Sequence, residues 1–314
     1  MKIVYSVGGE YSDCIVKYFD LNDFEQSLDD DTVIFWGWSS LDNISEKEKY
    51  KNYKNKYFIN TAQPCEIING YSDIEKQEYF DKVYTICPYT PVVINDENKK
   101  FEPICFPYNE KYFEKYNNIN YLDKTYDVIY YGQIHNEIYT NLINSITKFN
   151  YRLCAPSIDT FVRYNQHKKI TNLGINSLEK WDLLSRCKIS VGFNLIFIND
   201  IHIKNLKNIP NINSFKNIDS VYNKKIMPQM KTRMVEAALT KTLMLIYKDE
   251  WNVIENWFEP NVDFLYWETF EELEKMMGEI LSNYNNYWYI VENAHKKVKT
   301  FSLNKLFKKI KDEF

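Results

Sequence analysis

Short apolar runs, each followed by a polar stretch of helical length, recur along the whole chain. The first half holds "KIVYSV" (2–7), "TVIFWGW" (32–38), "KYFINT" (56–61), "KVYTIC" (82–87) and "EPICFPY" (102–108). The second half holds "YDVIYYG" (126–132), "YRLCA" (151–155), "KISVGF" (188–193), "TLMLIY" (242–247) and "DFLYW" (263–267). Runs rich in Val, Ile, Tyr and Phe without strict alternation are the pattern of strands covered on both faces of a parallel sheet. The intervening lengths suit crossover helices, so the chain reads as β-α-β twice over and predicts an α/β fold of two doubly wound domains.

The stretch "NEKYFEKYNNINYLDKT" (109–125) separates the two series and shows little apolar periodicity, which marks it as the domain boundary. A second irregular stretch, 199–229, exceeds normal loop lengths and predicts a lid, a binding loop or a mobile insert. Near the C-terminus, Leu303, Leu306, Phe307, Ile310 and Phe314 fall on one helical face and lysines on the other. That stripe is short, which favours a helix docked on its own protein over one lying on a membrane.

Length and composition fit this picture. A chain of 314 residues suits two domains, each of about 120–170 residues. Hydrophobic content of 45% and aromatic content of 17% are ample for real cores. The net charge of −4 gives no general drive toward nucleic acid. Six scattered cysteines without a C-x-x-C pair fit free thiols in a reducing compartment. The N-terminus lacks the apolar region of a signal peptide, and no stretch approaches 18 apolar residues, so a cytoplasmic protein is expected.

Ligands of doubly wound sheets sit beyond the carboxyl ends of the strands. Gly132 and Gln133 follow "DVIYY", where a glycine turn before a helix suits a phosphate held by backbone N–H groups, although an ordinary turn explains them as well. After the first strand, Gly8 and Gly9 form a tight or flexible loop, with Glu10 and Asp13 at the same edge. Either acid is a candidate general base; solvated loop acids are the bland alternative. G-x-G-x-x-G is absent. Asp29–Asp31 precede a strand, at its amino end, and read as a solvated turn. The four histidines lack metal-ligand spacing, so no metal site is expected.

The segment "KTRMVEAALTKTLMLIY" (231–247) reads as a helix running into a buried strand, with Pro228 suited to the first helical turn. Arg233 and Glu236 stand out on its apolar background. They form either a surface ion pair at helical spacing or part of a ligand site. In the second case Lys231 and Arg233 hold a diphosphate and Glu236 accepts the hydroxyls of a vicinal diol such as a ribose.

"TRMVEAALTKTLMLIY" and "FEPNVDFLYWETFEELEKMMGEIL" together resemble the C-terminal half of CgeB-like glycosyltransferases of the GT-B fold. The features carrying the resemblance are Arg233 and Glu236 three apart, Ala237–Ala238, the apolar strand, "FLYWE" and Glu271–Leu273. "YDVIYYGQ" and "LLSRCKISVGFN" resemble the first and middle strands of that family's donor domain. The resemblance covers about 126–300; the N-terminal half matches in strand order and "FPYNEKYF". Pro228 stands where many relatives carry a Glu that touches the donor sugar, and Thr240–Lys241 where a glycine is usual.

The resemblance implies two Rossmann-like domains facing a cleft. Residues 1–122 would bind the acceptor, 123–284 the donor, and 285–314 would return to the first domain. It further implies metal-independent transfer of a sugar from a nucleoside diphosphate to a hydroxyl of a glycan or glycoprotein, with no cofactor. Glu236 would sit on the ribose, and Arg233 or Lys231 near the diphosphate. A DNA-modifying glycosyltransferase and an inactive scaffold of the same fold are the alternatives.

Overall fold

The computed structural model of the protein describes residues 2–5, 31–36, 50–60, 65–68, 79–97 and 99–312. Two compact units divide the chain: Met1–Asn109, Leu195–Met230 and Phe301–Phe314 form one, and Glu110–Asn194 with Lys231–Thr300 form the other. The division thus falls after Asn109 rather than at 122–123. The stretch 109–125 is no linker, because its helix Glu110–Tyr116 buries Tyr112, Phe113 and Tyr116. Tyr112 packs edge-on against Trp181 at 4.8 Å and Phe113 stacks on His295 at 4.2 Å, both within the second unit.

The described strands are numbered in chain order. The first unit contains β1 (Lys2–Tyr5), β2 (Thr32–Trp36), β3 (Asn55–Asn60), β4 (Lys82–Thr85) and β5 (Phe101–Pro103). The second contains β6 (Tyr126–Tyr131), β7 (Tyr151–Ala155), β8 (Asn172–Leu173) and β9 (Cys187–Gly192). Next come β10 (Leu195–Phe197) and β11 (Ile226–Pro228), which lie in the first unit, and then β12 (Leu243–Tyr247) and β13 (Leu265–Trp267) in the second.

In the first unit β1 to β5 pair in parallel and in sequential order, β1-β2-β3-β4-β5. No reversal of order occurs among these described strands. Successive side chains alternate between two apolar layers, which explains why the runs read as continuously hydrophobic. Val33, Phe35, Phe58 and Val83 pack with Tyr50, Phe80 and Phe101 on one side. On the other, Ile34, Trp36, Tyr57, Ile59 and Tyr84 meet Leu303, Leu306, Phe307 and Ile310 of the helix Leu303–Asp312. The apolar stripe of that helix is therefore covered by the protein's own sheet.

The stretch 199–229 is built rather than looped. β10 and β11 form an antiparallel ribbon that frames the helices Asp200–Leu206 and Ile218–Lys224, and Phe215 packs on Tyr89 at 5.1 Å. Pro228 ends β11 and starts no helix; a two-stranded ribbon tolerates proline because its N–H is not needed in a ladder there.

In the second unit all strands are parallel, in the order β13-β12-β9-β6-β7-β8. Counted within the unit, the first strand, β6, lies beside the second on one flank and the fourth on the other. The order reverses between β6 and β9. The crossover chains leave these two strands in opposite directions, which opens a crevice at their carboxyl ends.

Candidate anion site at the strand-order reversal

β6 ends at Tyr131, and Gly132 follows with φ of +131°, a conformation side chains rarely adopt. β9 ends at Gly192. The helix Thr232–Leu239 begins beside both. A Cβ on Gly132 would lie 2.6 Å from Nη2 of Arg233, and one on Gly192 would lie 3.2 Å from Arg233 Cδ and 2.9 Å from Met234 Cε. The two glycines thus leave the space through which the arginine runs. Its guanidinium carbon lies 5.1 Å from the ring of Tyr130 and 5.5 Å from that of Tyr131.

The start of this helix is positive without compensation from its own residues. Lys231 occupies the N-cap in an extended conformation, no side chain caps the helix, and no acid sits in its first turn. Among the described residues Arg233 makes no ion pair, so the surface Arg233–Glu236 pair is not formed. Burial alone would lower the Arg233 pKa, but Tyr130, Tyr139 and Tyr131 carry it above the usual arginine range. Burial and the neighbouring Arg233 pull the Lys231 ammonium down to about 7. His135, in the turn after Gly132, is lowered by burial and by these same two cations. Cations gathered at the positive end of a helix repel one another and the dipole, and an anion relieves both.

Glu236, one turn on, stands in a different environment. The helix Ser177–Ser185 opens with a reciprocal cap between Asn176 and Glu179 and delivers the next two residues to this acid. Lys180 Nζ donates to Oε1 at 2.6 Å, Trp181 Nε1 to the same oxygen at 3.0 Å, and the Tyr131 hydroxyl to Oε2 at 2.6 Å. Burial pushes the Glu236 carboxyl up, yet the charge and bonds of Lys180, with those of Tyr131 and Trp181, bring it below the usual range. Tyr131 is raised well above an ordinary tyrosine by burial and by Glu236, so it stays a neutral donor. The acid is a buried anion that accepts two hydrogen bonds on Oε1 and one on Oε2.

Gly132 and Gln133 lie here, and both are tied into the fold. The Gly132 N–H donates to the Cys154 carbonyl at 3.1 Å, so it is used in the fold and is not offered to a phosphate. Gln133 Nε2 donates to Ser157 Oγ at 3.0 Å, and Gln133 Oε1 accepts from Thr160, tying the turn to the loop after β7. Gly8, Gly9, Glu10 and Asp13 lie outside the described residues. Lys180, Trp181, Tyr131 and Gly192 were not singled out from sequence; only Gly192, a glycine at a strand end, carried a signal.

Among the described residues no group of three or more His, Cys, Asp or Glu side chains could hold a metal ion. Cys105, Cys154 and Cys187 are buried free thiols, and Cys87 is buried as well. No described helix is long and apolar enough to cross a membrane.

No family model and no curated protein matches the chain. Solved structures do match it in shape. Anabaena HepE in complex with UDP and glucose superposes with a TM-score of 0.62 at 8% identity, covering 99% of this chain and 90% of that one. Sucrose-phosphate synthase from Thermosynechococcus elongatus gives 0.54 at 10% identity, covering 92% and 76%. S. aureus TarM in complex with UDP gives 0.56 at 12%, covering 92% of this chain and 57% of its own length. The likeness is one of fold: parallel α/β sheets with helices.

Proposed function

We propose that the protein is a GT-B glycosyltransferase of the CgeB-like kind, acting in the cytoplasm on a nucleoside-diphosphate sugar. The observation carrying this proposal is the set of cations at the N-terminus of the helix Thr232–Leu239, placed by two glycines at the reversal of strand order. A diphosphate there gains charge-assisted bonds from Arg233 and Lys231 together with the helix dipole. As the glycosidic C–O bond breaks, negative charge grows on the departing diphosphate, and fixed cations stabilise it more than they stabilise the intact donor. This needs no metal.

Glu236 takes the ribose in this scheme. In the described geometry its oxygens hold Lys180, Trp181 and Tyr131. A diol therefore binds by exchanging for one of those donors or by using the lone pair still open on Oε2. Glu10 or Asp13 serves as base toward the hydroxyl of a glycan or glycoprotein acceptor bound by the N-terminal residues. The likeness in shape to HepE and TarM, each named in complex with UDP, supports UDP as the carrier.

Calorimetric titration with UDP, GDP and dTDP tests the proposal. One of them is expected to bind, with affinity lost in Arg233→Met. If none binds, or the variant binds as tightly as the parent, the assignment fails.

A further inference from the structure

β9 is followed by Phe193 and Asn194, the last residue before the chain leaves the second unit; the chain re-enters that unit at Lys231. Asn194 is fully buried. Its Oδ1 accepts the backbone N–H of Lys231 at 3.2 Å and so ties the N-cap of the helix to the end of β9. That bond fixes which end of the amide is which, since only the oxygen can accept. The other end, Nδ2, is buried and has no hydrogen-bond partner among the described residues.

An orphaned buried amide donor costs roughly 1–3 kcal/mol, so it calls for an acceptor the chain does not itself supply. The chemistry around it specifies which kind. The amide abuts the N-cap of an eight-residue helix that carries Lys231 and Arg233 and no acid in its first turn. An anionic oxygen satisfies the donor, the cations and the dipole together.

We propose that Asn194 is a ligand-binding residue, its carboxamide N–H donating to a phosphate oxygen of the bound nucleoside diphosphate while its carbonyl holds the helix N-cap in register. The assignment rests on the diphosphate site proposed above. Substitution by aspartate separates the two halves of the role. Asn194→Asp keeps the size of the side chain and the acceptor for the Lys231 N–H, but replaces the donor with an oxygen that repels phosphate. An added acid beside a helix N-terminus favours folding, so the variant is expected to retain the melting temperature of the parent.

The test is calorimetric titration of UDP and of inorganic pyrophosphate into wild type, Asn194→Asp and Arg233→Met, with thermal unfolding of each. The expected result is roughly a hundredfold weaker binding of both probes to Asn194→Asp with folding intact. If wild type binds and Arg233→Met does not, but Asn194→Asp matches wild type, then Nδ2 is met by a buried water only. That result overturns the assignment and leaves the diphosphate site standing. If wild type binds neither probe, both fall.

Discussion

Arg233 and Glu236 sit three residues apart on one helix, both drawn in among aromatic side chains, and their surroundings are opposite. Glu236 is met by an ammonium, an indole N–H and a phenol within 2.6–3.0 Å. Arg233 is met by aromatic faces, by the backbone of two glycines and by another cation. A charge that the fold compensates contributes to stability before any ligand arrives. A charge for which the fold makes room but supplies no counter-ion contributes chiefly when a ligand is bound. Substituting each should therefore separate a stability cost felt without ligand, at Glu236, from a loss felt only on binding diphosphate, at Arg233.

The largest effect is expected at the compensated charge. Glu236→Ala strands the Lys180 ammonium beside Tyr131 and Trp181, and removing one partner of a buried pair costs about 3–5 kcal/mol. Urea unfolding should show that loss without any ligand present. Arg233→Met should do the reverse: unfolding free energy unchanged or higher, and UDP affinity lower by roughly a hundredfold, the value of a charge-assisted contact to phosphate. Comparable stability losses in the two variants would break the comparison.

Gly132→Ala probes how the arginine is held. The backbone at φ +131° and the 2.6 Å approach to Nη2 leave no room for a methyl group. Backbone strain should cost about 1–3 kcal/mol, and the displaced guanidinium should weaken UDP as well. A variant that loses stability yet binds normally would show that the guanidinium position is unimportant.

The smallest effect is in pH. Lys231 titrates near 7 in the free protein, and a bound diphosphate raises that value. Above pH 7 the free site loses the proton that the complex keeps, so binding takes one up. Affinity should fall between pH 7 and 9, by at most about tenfold per unit, and flatten in Lys231→Met.

Much of the fold was legible because parallel strands covered on both faces leave unbroken apolar runs. All ten such runs overlap a strand, and "YRLCA" matches β7 residue for residue. The two-residue β8 and the three-residue β10 and β11 were not, being too short to form a pattern. The stretch 199–229 looked irregular because its helices run only about two turns each. One starts and ends on left-handed residues, Asn217 and Lys225, which hydrophobic periodicity does not reveal. The helix within 109–125 was missed because its buried aromatics, Tyr112, Phe113 and Tyr116, alternate with charges.

At the site, Arg233 and Glu236 were legible as charges on an apolar helix, but their partners were not. Lys180 and Trp181 lie 56 and 55 residues from Glu236, and only the sheet order brings them together. Gly132 was marked as a glycine turn at a strand end; in the structure it makes room for the Arg233 side chain, and its N–H bonds to the Cys154 carbonyl.

Arg233 and Lys231, gathered at the reversal of strand order, are held here to bind a diphosphate. Thermal-shift titration of the protein with uridine, UMP and UDP tests it directly. Stabilisation should grow with each added phosphate, and that growth should vanish in Arg233→Met. Equal shifts from uridine and UDP, or an undiminished UDP shift in the variant, would contradict it.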